Sequence, residues 1–265
     1  MFEFLTGRHD RFAQTPLSDA ERAIVDANVP YAGKLSPDDR RELEGLVRIF
    51  LDTKTFEGCG GLELTDEMRV TIAAQACVLM VHREGEIYPD LETILVYPHA
   101  FRAKTKHWDG AVVSEGEEGR LGESSDRGVV VLAWDHVNRG THHAEPGHNV
   151  VFHELAHQLD AEDGAMDGAP DLPSRSRYHS WARVFGREYK LLERGLEVGL
   201  DSDIDAYGAR SPAEFFAVVT EMFFERPKAL RKRHPALYAE LVAFYRQDAA
   251  EGGRLPETDA QTPGV

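Results

Sequence analysis

Cysteine is almost absent from this chain. Cys59 and Cys77 are its only thiols in 265 residues, too few for a disulfide framework, so both are expected to be reduced, with Cys77 inside a helix core. Neither has the spacing from the histidine pair described below that a thiolate zinc site would need. Basic residues are in short supply: 30 Lys and Arg stand against 46 Asp and Glu, a formal charge of −16. No basic cluster reverses this locally, which argues against nucleic acid as a partner and for good solubility. Long apolar runs are missing too. None approaches a membrane span, and the stretch from Met1 to Asp10 has no apolar segment of signal-peptide length, so a cytoplasmic location with no membrane partner is expected. What remains, 42% hydrophobic residues, suffices for a globular core.

Taken in order, residues 1–17 carry little pattern and read as a loosely held lead-in. Ser18 with Glu21 is a capping-box signal for a short helix, and Ser36-Pro37-Asp38-Asp39 opens another with Leu43, Leu46, Val47, Phe50 and Leu51 at helical spacing. Glu57 to Gly61 reads as a loop. Thr65 opens a buried helix containing Ile72, Ala73, Ala74, Ala76, Val78 and Leu79. From about residue 86 the texture changes to strands, Thr93 to Tyr97 stopped by Pro98 and then Val129 to Trp134, with a Gly- and Glu-rich hairpin or mobile loop between them at 109–127. Residues 164–173 form a loop, 178–198 a long helix and 201–208 an acidic turn. Ser211 then opens an apolar helix that Pro227 terminates; a last helix spans 235–247, and the chain beyond Ala250 has the composition of a disordered tail. The expected fold is α+β, helix-rich with a small mixed sheet, as one domain over 18–250 with a helical part at 18–82 and a flexible tail at 251–265.

The stretch Val150 to Asp160, VVFHELAHQLD, carries the chemistry. In a helix, His153 and His157 stand one turn apart on one face, able to share an ion, while Glu154 lies about 100° around the axis. That places Glu154 poorly for ligation and well for holding a reacting water, which is why His-Glu-x-x-His is a zinc-peptidase signature. The same pattern also arises by chance on solvated helices. Here the helix is apolar nearly all round, so it should be buried, and two histidines and a glutamate buried together need partners that a metal supplies. By contrast, His136, His142, His143 and His148 read as solvated loop residues. The strand at 129–134, shortly before this helix, would either offer an edge to an extended substrate or lie inside the sheet.

A catalytic zinc needs a third protein ligand. Asp163 sits at a suitable spacing, but Asp160 occupies the place where a glycine would let the chain turn back. Asp203 and Asp205 are alternatives, as are Glu214 and Glu221, seven residues apart on one helix face. Glu214 has a competing use, since three residues after Ser211 it completes a capping box. Asp160 is either an orienting carboxylate for a ligand imidazole or an ordinary surface residue at a helix end.

The segments Thr65 to Cys77, Ile94 to Pro98, Asn149 to Asp160 and Ser211 to Val218 together resemble the Mlc titration factor A family of zinc-dependent peptidases, over roughly residues 20–250. The resemblance implies a zincin-like, gluzincin-type fold related to the catalytic domain of anthrax lethal factor. It implies one Zn²⁺ held by His153, His157 and Glu214, with Glu154 as general base and Tyr207 facing the metal. It further implies a peptide or protein substrate, aminopeptidase activity on small substrates, and binding of a glucose-responsive transcriptional repressor. The competing class is a non-catalytic regulator that sequesters such a repressor. Glu154 separates the two, because a purely structural metal site has no use for a base.

Overall fold

The computed structural model describes residues 16–99, 101–109, 112–120, 122–125, 128–141 and 147–254, with side chains at 16–99, 128–139 and 147–252. Helices dominate, with a small mixed sheet, an α+β architecture.

Local signals set most helix starts. In α1 (Asp19–Asn28) the Ser18 Oγ accepts from the Glu21 N–H at 3.3 Å and the Glu21 carboxylate returns to the Ser18 N–H at 2.7 Å, a complete capping box. Ser36 caps α2 (Pro37–Thr53), with Pro37 in the first turn, and Thr65 caps α3 (Asp66–Val78). Every residue of α3 from Val70 to Val78 is buried, so it is a core helix, and Cys77 lies within it.

Four strands form the main sheet: β1 (Thr55–Gly58), β2 (Thr93–Tyr97), β5 (Gly122–Ser125) and β6 (Val129–Ala133), in the order β1-β2-β6-β5. Between β2 and β5 in the chain lies a separate antiparallel pair, β3 (Phe101–Asp109) with β4 (Val112–Arg120). β1, β2 and β6 are parallel, and β5 runs antiparallel to β6. Ile94, Val96, Val130 and Leu132 point into the core at alternate positions. Gly128 fixes the register. Its carbonyl accepts from the Glu92 and Thr93 N–H groups, its φ is +72°, and a Cβ there would sit 2.4 Å from the Asp90 carbonyl oxygen, a position only glycine fills.

Behind the sheet come α4 (Trp134–Thr141), α5 (Val150–Asp160), α6 (Arg175–Glu197), α7 (Pro212–Glu225), α8 (Pro227–Arg233) and α9 (Pro235–Tyr245), closed by the short pair β7 (Gln247–Asp248) and β8 (Gly253–Arg254). Aromatic side chains pack α7 against α5, α6 and α9. Phe152 meets Phe224 with centroids 5.3 Å apart, and Phe215, Phe216 and Phe223 are each almost fully buried, worth roughly 1.5–3 kcal/mol of transfer free energy apiece. Leu17, Val25, Val151 and Ala249 belong to the same contiguous core.

Several sequence expectations need correction. Glu57 and Gly58 lie in β1, whose parallel pairing with β2 is a non-local contact that the short segment does not announce. The strand at 129–134 ends at Ala133, and Trp134 starts α4, so His136 is helical. β6 has β2 on one side and β5 on the other; it is not an edge and cannot pair with a substrate. The stop at Pro227 is also the start of α8, because proline is well suited to a first helical turn. The last long helix ends at Tyr245, where Arg246 turns left-handed with φ +54°. Within the expected acidic turn, Ala206–Ala209 forms a 3₁₀ turn. Leu17 is buried despite its place at the end of the expected lead-in; residues 1–15 and 255–265, with most of that lead-in and tail, lie outside the described residues. Among the described residues no helix is long and apolar enough to cross a membrane.

Candidate metal centre

The centre is built where α5 crosses α7. Asn149 starts α5: its side-chain oxygen accepts from the Val151 and Phe152 N–H groups, both at 3.1 Å, satisfying two of the donors that a helix start leaves open. Its own backbone N–H donates to Glu221 Oε2 at 2.5 Å, and its amide nitrogen donates to Glu225 Oε1 at 3.1 Å. Two carboxylates one turn apart on α7 thus clamp the first residue of the histidine-bearing helix.

From this anchored start, His153 and His157 project side by side, ring centroids 4.9 Å apart. Glu214 comes from the first turn of α7. Its Oε2 lies 3.0 Å from His153 Nε2 and 3.4 Å from His157 Nε2. Ser211 Oγ accepts the Glu214 N–H at 3.2 Å, so the helix is capped, but the returning half of the box seen at Ser18 and Glu21 is not made: this carboxylate is spent on the imidazoles. The two uses that Ser-x-x-Glu allows are therefore separated by the direction of one side chain.

Glu221 completes the arrangement from behind. Its Oε1 lies 2.7 Å from His153 Nδ1. A carboxylate can only accept, so each ring nitrogen carries a proton here, Nδ1 toward Glu221 and Nε2 toward Glu214, and a metal would take the place of the Nε2 proton. Burial opposes charge on His153, but hydrogen bonds to Glu214 and Glu221 outweigh it and raise its pKa well above the ordinary range. Burial would raise Glu214, yet the two imidazoles pull it down to about 2. The residues named as alternative ligands are occupied elsewhere. Asp163 accepts from the Ala165 N–H, Asp203 pairs with His234 and Arg233, and Asp205 caps the Tyr207 N–H at 2.7 Å.

Glu154 is buried next to the imidazole pair. Tyr207, 41% exposed, forms the open side, its ring centroid 5.8 Å from that of His153 and the Arg210 guanidinium 4.4 Å above its own. Burial and the neighbouring Glu214 raise its pKa, so its hydroxyl keeps its proton at neutral pH. Neither expected role for Asp160 fits. It is fully buried, so it is not a surface residue, and its Oδ2 accepts the Gly168 N–H at 2.8 Å. It does not hydrogen-bond to the imidazole either, since its Oδ1 and His157 Nδ1 are both without a partner. His148 is exposed, 3.6 Å from Asp205, and His136 lies 3.9 Å from Asp135; His142 and His143 fall outside the described residues. The sequence reading missed Asn149 as a cap, although Asn immediately before a helical run is a cap signal, and Arg210, which no local signal marks.

The donor set fits a transition metal. One ligand atom each from His153, His157 and Glu214 lies within 4.8 Å of the others, and separations of 3.0 and 3.4 Å bracket the ligand–ligand spacing of roughly 3.3 Å expected around a tetrahedral zinc with bonds of about 2.0–2.1 Å.

Comparison with known proteins agrees in kind. A protein of Synechocystis sp. described as uncharacterized is 45% identical over 244 residues, covering 91% of this chain and 89% of that protein. Mlc titration factor A of Klebsiella pneumoniae is 32% identical over 237 residues, with 88% of each chain covered, and that of Serratia proteamaculans 32% over 221 residues, with 81% and 83% covered. The family model described as glucose-regulated metallo-peptidase M90 matches residues 4–246, and the chain belongs to that metallopeptidase family.

Proposed function

We propose that this chain is a zinc-dependent peptidase of zincin-like fold, with residues 18–250 as its catalytic domain and His153, His157 and Glu214 as the ligands of one Zn²⁺. The observation that carries this reading is the Glu214 carboxylate turned away from its capping role into two imidazoles, with a buried Glu154 beside them. Bound there, zinc would polarise a scissile carbonyl and make a water nucleophilic near neutral pH. Glu154 takes the proton of the attacking water and delivers it to the leaving amine. Tyr207, protonated and on the open side, donates a hydrogen bond to the developing oxyanion. Glu221 holds the His153 ring and fixes its tautomer.

A substrate strand would pair with β5, not β6. Among the described residues β5 forms one end of the sheet order and lies against α5, so it is the strand to which an extended peptide would add. The aminopeptidase form of the reading comes from the family resemblance, and a panel of free-ended and blocked peptides tests it. The name Mlc titration factor A, borne by the relatives, supports a second role in which the chain also binds a transcriptional repressor. Glu154 favours catalysis over repressor binding alone.

The test is metal analysis of protein purified without chelators, combined with a panel of peptides bearing free or acetylated amino termini. Cleavage of free-ended peptides that stops with chelator and returns with Zn²⁺ is expected. Metal-bound protein that cleaves no member of the panel would favour the binding role.

A further inference from the structure

A second cluster of donors lies away from α5 and α7, where the first turns of α2 meet the loop after α3. Asp39 and Glu42, three residues apart on one face of α2, both reach His82. His82 Nε2 is 3.3 Å from Asp39 Oδ1, and Nδ1 is 3.2 Å from Glu42 Oε2. Glu42 Oε1 also accepts the His82 backbone N–H at 2.8 Å, which pins the loop residue to the helix. The His82 and Asp39 side chains are only 5% and 8% exposed.

Close as they are, the pair is not satisfied. His82 Nε2 and Asp39 Oδ2 are buried and have no hydrogen-bond partner; the Nε2 to Oδ1 approach lacks hydrogen-bond alignment. Buried polar atoms without partners are uncommon and each calls for a physical reason. A cation supplies one. The 3.3 Å separation is the ligand spacing of a tetrahedral site with bonds of about 2.0–2.1 Å, and one donor atom each from Asp39, Glu42 and His82 lies within 4.8 Å of the others.

We propose that Asp39, Glu42 and His82 form a second, structural binding site for a divalent transition-metal ion of the zinc class. An imidazole with two carboxylates suits Zn²⁺ or a neighbouring first-row ion, whereas Mg²⁺ and Ca²⁺ prefer all-oxygen surroundings. Such an ion staples the start of α2 to the loop that carries α3 toward the sheet, joining positions 39 and 82 of the chain. The competing account is His82 held between two carboxylates with no metal.

The test counts zinc. Full-length protein is stripped with chelator, dialysed against Zn²⁺ and measured by atomic absorption, with cobalt absorption spectra as a second readout. The parent is expected to bind about two ions per chain. The His153→Ala/His157→Ala variant should bind about one, and adding His82→Asn should leave none; asparagine suits the left-handed φ of +66° at His82. Asp39→Asn, nearly isosteric, serves as the second variant, and circular dichroism checks that each is folded. No zinc in the His153→Ala/His157→Ala variant overturns the second site, as does a bound ion indifferent to both His82→Asn and Asp39→Asn. Failure of the peptidase centre looks different: parent and His153→Ala/His157→Ala variant would both bind about one ion, lost with His82→Asn or Asp39→Asn.

Discussion

Glu221 holds His153 and the beginning of His153's own helix with the two oxygens of one carboxylate. Oε1 lies 2.7 Å from the ring Nδ1, and Oε2 accepts the Asn149 N–H at 2.5 Å. Ring orientation and helix position are therefore set by the same group. Glu221→Gln keeps one acceptor oxygen and turns an NH₂ toward one of two donors, so it cannot serve both. Zinc affinity should fall roughly 10- to 100-fold, while excess Zn²⁺ restores full occupancy. A competition titration with a chelator checks this, and unchanged affinity would reduce Glu221 to a helix clamp.

Glu154→Gln should retain zinc and lose peptidase activity by about 10² to 10⁴ in rate, because an amide can neither accept nor deliver the proton. Equal turnover of the two proteins on one peptide would remove Glu154 from the mechanism.

Ser211 and Glu214 can be separated by paired substitutions. Ser211→Ala removes the oxygen that receives the Glu214 N–H and should cost about 1 kcal/mol of stability with zinc retained. Glu214→Gln leaves that cap intact but replaces the anionic donor, and should release the metal and abolish turnover. Zinc content and urea midpoints measured on both variants give the comparison. Zinc retained by Glu214→Gln would send the ligand assignment elsewhere.

Gly168 is where the loop after α5 touches the start of α7. At φ +80° a Cβ would lie 2.3 Å from the Pro212 carbonyl oxygen, and the Gly168 carbonyl accepts from Trp181 Nε1 at 2.8 Å. Gly168→Ala should lower stability by at least about 2 kcal/mol, from the left-handed backbone and the displaced neighbour together. Pro212 precedes Glu214 by two residues, so zinc affinity should fall with it. Thermal unfolding and zinc titration check the two effects separately.

These residues also show what the sequence made legible. Helix α5 and its histidine pair were readable because spacing along one helix fixes which side chains share a face. Ser18 and Glu21 announced a capping box and make one. Ser211 and Glu214 announced the same box and make half of it, since only the packing of α7 on α5 decides where the carboxylate goes. Glu221 appeared as a substitute ligand; its actual placement behind His153 depends on the same crossing. The interior place of β6 was hidden for a related reason: strand order is set by partners far along the chain, and β5, which takes the outer position, is only four residues long.

Asp160 yields a prediction with a definite sign. Burial raises its pKa from 3.8 to about 6, against the Gly168 N–H, which pulls it down. Between those values the folded chain keeps a proton that the unfolded chain has released. Stability is then greatest below the unfolded pKa and falls as pH rises through the folded one, by on the order of 2 kcal/mol between pH 4 and 7.5. Asn at this position can still accept the Gly168 N–H and has nothing to ionise. Whatever constant cost Asp160→Asn carries, its stability relative to the parent should therefore climb by that amount over the same interval. The measurement is urea unfolding of chelator-stripped parent and variant across the range, stripped so that ligation of His157 does not enter. A difference that stays flat with pH would mean that Asp160 is already ionised in the folded state at pH 4, held by a partner that offsets its burial.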